Sequence, residues 1–174
     1  MKSVFYFILC LFLCAGQQSL ASEPTETQKS ELSRLIIDAN NAVKNRDFTS
    51  ISYDMPERLY QEMARRLNTT ENDLRNSFFE QLRIQFENLP ADAYHLDETN
   101  IHYLQTANGA FYALIPTRLE TEDRIIEYNT LAIFDNMRWY LIYGGQKTVQ
   151  NPVFLEIYPD FNNVNLPKET IIKK

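Results

Sequence analysis

Residues 108–145 read NGAFYALIPTRLETEDRIIEYNTLAIFDNMRWYLIYGG, and this stretch decides the fold. Asn108-Gly109 is a two-residue hairpin signal, because both residues tolerate the positive φ that a tight turn demands. Beyond it, Phe111, Ala113 and Ile115 alternate onto one face. Ile125, Leu131 and Ile133 share a parity opposite to Ile126, Tyr128 and Phe134, which is the period of strands. Glu122-Asp123 and Asp135-Asn136 punctuate the run as turns, and Gly144-Gly145 ends it. An antiparallel sheet is therefore expected here. It is apolar on both parities, so it needs cover, and the preceding chain supplies helices.

In the first of these, 29–46, Leu32, Leu35, Ile36, Ala39, Ala42 and Val43 recur at steps of three and four. A second helix opens at Tyr53-Asp54-Met55-Pro56, with Asp54 as its cap and Pro56 in its first turn, where a missing N–H is harmless. Leu59, Met63 and Leu67 form its apolar side. Thr70 and Asp73 have the spacing of a capping box and begin a third helix, which carries Leu74, Phe78, Leu82 and Phe86 and stops at Pro90. Residues 93–105 are a first strand region broken at Asp97-Glu98-Thr99-Asn100. After the sheet, 153–158 reads as a short strand or docking segment, and 160–174 as a surface tail anchored by Leu166-Pro167. The fold class is α+β, with three N-terminal helices on a long curved antiparallel sheet.

Composition narrows the function. Lys2, an apolar run from Val4 to Cys14 and the small-x-small pattern Ser19-Leu20-Ala21 fit an export signal over 1–21. The run is shorter than the roughly 20 residues of a membrane span. A lipoprotein reading at Cys14 meets Leu13, where a small residue belongs. Cleavage after Ala21 removes both cysteines, Cys10 and Cys14, so the exported domain has no thiol chemistry. It leaves a polar leader, 22–28, and one domain, 29–159. The chain's net charge is −6, and loss of Lys2 makes it more acidic, which disfavours nucleic acid and anionic lipid. Four glycines leave no room for a phosphate-cradling loop.

Helices followed by a long curled sheet, with Asn108-Gly109-Ala110-Phe111-Tyr112-Ala113-Leu114-Ile115-Pro116 and Trp139-Tyr140-Leu141-Ile142-Tyr143-Gly144 near its two ends, resembles the nuclear-transport-factor-2-like superfamily of cone-shaped domains. Met55-Pro56-Glu57-Arg58-Leu59 looks like an element of exported members of that superfamily. The resemblance implies a pocket between the concave sheet and the helices. Its aromatic lining candidates are Tyr53, Tyr60, Phe78, Tyr112, Tyr128, Trp139 and Tyr143. These residues suit apolar contact with an occasional hydroxyl hydrogen bond, and they equally suit an ordinary packed core.

Catalytic signals are weak. His95 beside Asp97 is the one compact acid–base pair, and His102 lies seven residues from His95. No metal spacing, nucleophile elbow or cofactor motif is present, and no cofactor is implied. The reading is an exported, non-enzymatic binding or interaction module in the periplasm or outside the cell. Its expected partners are a small apolar ligand, an envelope protein or a second copy through the sheet, with no stable membrane insertion. The alternatives are a small cone-fold isomerase, dehydratase or hydrolase with a Tyr/Asp/His site, and a toxin-immunity-type inhibitor.

Overall fold

A computed structural model describes residues 23–174, so the export signal lies outside the described residues. The chain begins with helix α1 (Glu26–Lys44), held by a capping box in which Thr25 accepts from the Gln28 backbone and Gln28 bonds back to Thr25. That box starts the helix three residues earlier than the apolar stripe alone indicates. A short α2 (Phe48–Ser52), α3 (Glu57–Leu67) and α4 (Glu71–Phe86) follow. Asn68 ends α3 in the left-handed conformation and Thr70 caps α4 through the Asp73 backbone N–H. Asp54 is not a cap: Pro56 occupies that position at α3 and the Asp54 carboxylate is used elsewhere.

The sheet is antiparallel and strongly curled into a half-barrel, in the cone-like arrangement the sequence implies. Its spine is the long hairpin of β3 (Phe111–Glu120) and β4 (Arg124–Asp135). Two short strands share the outer edge of β3, β1 (Tyr94–Leu96) along one half and β2 (His102–Gln105) along the other. Pro116 sits in β3 where β1 gives way to β2. A proline has no N–H for a second partner, so the handover costs no ladder bond there. On the other edge, β5 (Arg138–Ile142) covers Leu131 to Asp135 of β4. A last strand, β6 (Thr170–Lys173), covers Arg124 to Glu127. Residues 128–130 of β4 therefore have no strand beside them on that edge.

Both faces are buried, by different parts of the chain. Ala113, Ile115, Ala132, Trp139 and Leu141 meet Leu32, Ile36, Ile51 and Phe86 of the N-terminal helices. Leu114, Leu131, Ile133, Tyr140 and Ile142 point the other way. The C-terminal segment covers them, as α5 (Gly145–Val149), α6 (Pro152–Ile157), a 3-10 turn (Pro159–Phe161) and Leu166. This corrects two expectations. Residues 153–158 are largely helical, because Asn151 caps α6 and Pro152 takes its first position. The tail 160–174 is not merely a surface strip, since Phe161 and Leu166 are buried and β6 joins the sheet.

Asn40 of α1 completes the edge of β1. Its side-chain amide donates to the Leu96 carbonyl (2.8 Å) and accepts from the Leu96 N–H (2.9 Å), in the place of a neighbouring strand. Asn40→Ala strands both groups beside a fully buried side chain. A loss of about 2–6 kcal/mol in urea unfolding is expected, at roughly 1–3 kcal/mol for each unsatisfied group. An Asn40→Ala protein as stable as the parent contradicts this role.

Candidate functional site

The curl of the sheet leaves a space that α2, α3 and α4 roof but do not fill. It is a cavity of about 550 Å³, within the size range that holds a drug-sized ligand. Tyr94 of β1, Leu119 of β3 and Tyr128 of β4 come from the sheet, with Tyr143 just beyond β5. Leu59 and Met63 reach in from α3, and Phe78, Leu82 and Phe86 from α4. The helical pattern explains the roof: Phe78, Leu82 and Phe86 repeat every four residues and so share one face. The third wall comes from the C-terminal segment, through Lys147, Thr148, Asn151 and Phe154.

Gly144 makes the turn into that wall. It has φ +99°, and a side chain there would run into the Thr148 hydroxyl, which donates to the Tyr143 carbonyl at 2.8 Å. A second cavity adjoins the first and shares Leu119, Tyr128, Gly144 and Lys147 with it. It lies beside the part of β4 that has no strand neighbour, with Leu166, Lys168 and Glu169 on its far side.

Hydroxyl groups gather at the sheet side of the first cavity. Thr117 and Thr130, both buried, share a hydrogen bond of 2.8 Å, and Thr117 also reaches the Ile115 carbonyl. The Tyr94 hydroxyl is buried out of reach of solvent, with the Tyr128 and Thr130 hydroxyls as its polar neighbours. Burial pushes the Tyr94, Tyr128 and Tyr143 hydroxyls above their ordinary pKa, so all three stay protonated donors at neutral pH.

The Tyr143 hydroxyl donates to the Asp54 carboxylate at 3.2 Å. Asp54 follows α2, and its carbonyl accepts from the Leu141 N–H at 2.8 Å, which fixes it against β5. Burial raises the Asp54 carboxyl from 3.8 to about 7. The Tyr143 bond and the charge of Arg138 oppose the rise, and Asp38 adds to it. Asp54 itself is not on the cavity wall. The Tyr143 side chain carries the connection.

Of the seven aromatic candidates, Phe78, Tyr128 and Tyr143 line the cavity. The other four lie elsewhere, each for a physical reason. Tyr112 is next to Phe111 in β3 and so points to the opposite face, where it packs edge-on against Phe161. Trp139 shares the cavity's face of the sheet but lies under α1, donating to the Gln28 carbonyl at 2.8 Å and packing on Phe134 and Tyr103. Tyr60 fills the α3–α4 contact beneath Arg75, whose guanidinium lies 4.0 Å from its ring centre. Tyr53 is 58% exposed and flanks the same guanidinium.

His95 and Asp97 form no acid–base pair at the cavity. His95 is the outward residue of β1, between inward Tyr94 and Leu96, and His102 is exposed on β2. Asp97 accepts from Thr99 and Asn100 in its own turn, and those bonds hold its carboxyl down at about 2. A group so acidic is a poor base at neutral pH. Among the described residues no cluster of histidine, cysteine and carboxylate side chains has metal-binding geometry, and no helix is long and apolar enough to cross a membrane.

Sequence reasoning missed Tyr94 and the role of Asp54. Tyr94 had a signal, since alternation with Leu96 places it inward once His95 is read as outward. No family model, curated protein or solved structure matches the chain.

Proposed function

We propose that this protein is an exported, non-enzymatic binding module of the nuclear-transport-factor-2-like kind. It holds an apolar small molecule in the cavity between helices and sheet. The observation that carries the reading is the largely apolar cavity of about 550 Å³ left open between the curled sheet and its helical roof. A ligand that buries its apolar surface there gains the hydrophobic free energy of leaving water. Leu59, Phe78, Leu82 and Phe86 supply the apolar contact around it.

An acid–base enzyme is the competing reading, and Asp54 with its raised pKa is the residue that favours it. A general acid or base has to come within hydrogen-bond reach of the reacting atoms. Asp54 is separated from the cavity by Tyr143, so the binding reading has the stronger support.

Nile red, a neutral apolar dye with a carbonyl oxygen, tests the site. Saturable fluorescence enhancement is expected with the parent. Leu82→Trp fills the cavity and is expected to abolish the signal while the circular dichroism of the protein is kept. A folded Leu82→Trp protein that binds the dye like the parent places binding elsewhere and ends this reading.

A further inference from the structure

We propose that the ligand is an amphiphile with an anionic oxygen head, seated with the head on Lys147 at the junction of the two cavities. This rests on the binding reading above and adds the chemistry of the ligand's outer end. Among the described residues Lys147 is the only charged one lining the first cavity, in a chain whose net charge is −6. It also lines the second cavity, where the other charges, Lys168 and Glu169, offset each other. Among the described residues Lys147 makes no ion pair, whereas ten such contacts occur elsewhere in the molecule. The remaining polar wall groups near the helices, Gln81, Gln85 and Asn151, are neutral.

The two ends of the first cavity thus differ in the charge they accept. At the sheet side stand neutral hydroxyls, with the Asp54 carboxyl behind Tyr143. An anion placed there is taken out of water beside an acid, which is costly without a buried cation. Lys147 is exposed, so a head group on it keeps part of its hydration and gains a charge-assisted hydrogen bond. The apolar body then runs from Lys147 across the Phe78 wall, toward Tyr94.

Competition against Nile red with palmitate, hexadecyl phosphate and methyl palmitate tests this, since the three share a chain length and differ in the head. The parent is expected to prefer at least one of the two anions to the neutral ester by about tenfold, and the better anion identifies the head as carboxylate or phosphate. The preference is expected to shrink when salt rises from about 0.05 to 0.5 M, because the head is in contact with solvent. Lys147→Gln is expected to bring the anions to within about twofold of the ester, and Lys147→Arg to restore the preference. Equal binding of anions and ester by the parent overturns the head-group assignment and leaves the binding reading standing. An anion preference that survives in Lys147→Gln overturns it as well. Failure of Nile red and all three competitors to bind brings down both.

Discussion

Trp139→Ala is expected to cost about 3–5 kcal/mol, the range for removing a large buried aromatic side chain. For a chain of this length that corresponds to a melting temperature lower by about 6–20 °C. The indole is 3% exposed and does three things at once. It packs at a tilt against Phe134, its partner across the β4–β5 ladder, with ring centres 5.2 Å apart. It meets Tyr103 edge-on. It also donates to the Gln28 carbonyl, which ties the first turn of α1 to the far edge of the sheet. Trp139→Phe keeps most of the packing and loses the donor, and is expected to cost about 1 kcal/mol for the hydrogen bond plus the smaller ring volume. Urea unfolding of both variants checks the order. If the alanine variant is no less stable than the phenylalanine variant, the indole does not hold the helix to the sheet.

Asp54 gives the second large effect, and its sign is unusual for a carboxylate. Its pKa is raised on folding, from 3.8 to about 7, with burial as the main cause. Below about pH 4 the group is protonated in both states and has no effect on stability. Between about pH 4 and 7 the folded protein keeps a proton that the unfolded chain releases, so stability falls as pH rises. Above about pH 7 the penalty is complete, at most about 4 kcal/mol for a shift of this size. Contact of the carboxylate with water reduces it further.

Asp54→Asn carries no charge and still offers an oxygen to the Tyr143 hydroxyl. It is expected to be more stable than the parent at pH 8 and equal to it or less stable at pH 4. The difference between the two proteins in urea unfolding across that range isolates Asp54. Carboxylates with lowered pKa, such as Asp97 and Glu62, slope the opposite way at acid pH and act equally in both. A constant difference from pH 4 to 8 means that Asp54 titrates as an ordinary surface acid.

How much of this was legible beforehand differs between the sheet and the site. Turns do fall near Asn108-Gly109, Glu122-Asp123 and Asp135-Asn136, because turn chemistry and alternation are local signals. The first, however, is a five-residue loop, 106–110, with only Gly109 of the pair at positive φ, and the last turns on Asn136-Met137 while Asp135 stays paired with Arg138. Tyr112 shows the same signal left unused: its parity with Phe111 already put it on the opposite face. The fate of Trp139 and Tyr60 was not legible. Which inward aromatic residue lines a cavity, and which is buried under a helix, depends on where α1 and α4 lie, and no local pattern states that. The cover of the second face was hidden for a related reason. Its members, among them Phe154, Tyr158, Phe161 and Leu166, are spread through short helices and loops with no period to reveal them.

That divided cover has a consequence for the order in which the molecule can be completed. A chain emerging from its N-terminus can assemble α1 to α4 against one face as soon as β5 is made. At that moment Leu131, Ile133, Tyr140 and Ile142 form a bare apolar band, since their cover lies in residues still to come. The nascent sheet is then sticky on one side, and two such chains can bury their bands against each other. The last segment, ending in β6, does more than finish the fold. It is what keeps the back of the sheet out of water, and losing the residues after Gly145 is expected to leave that apolar band exposed.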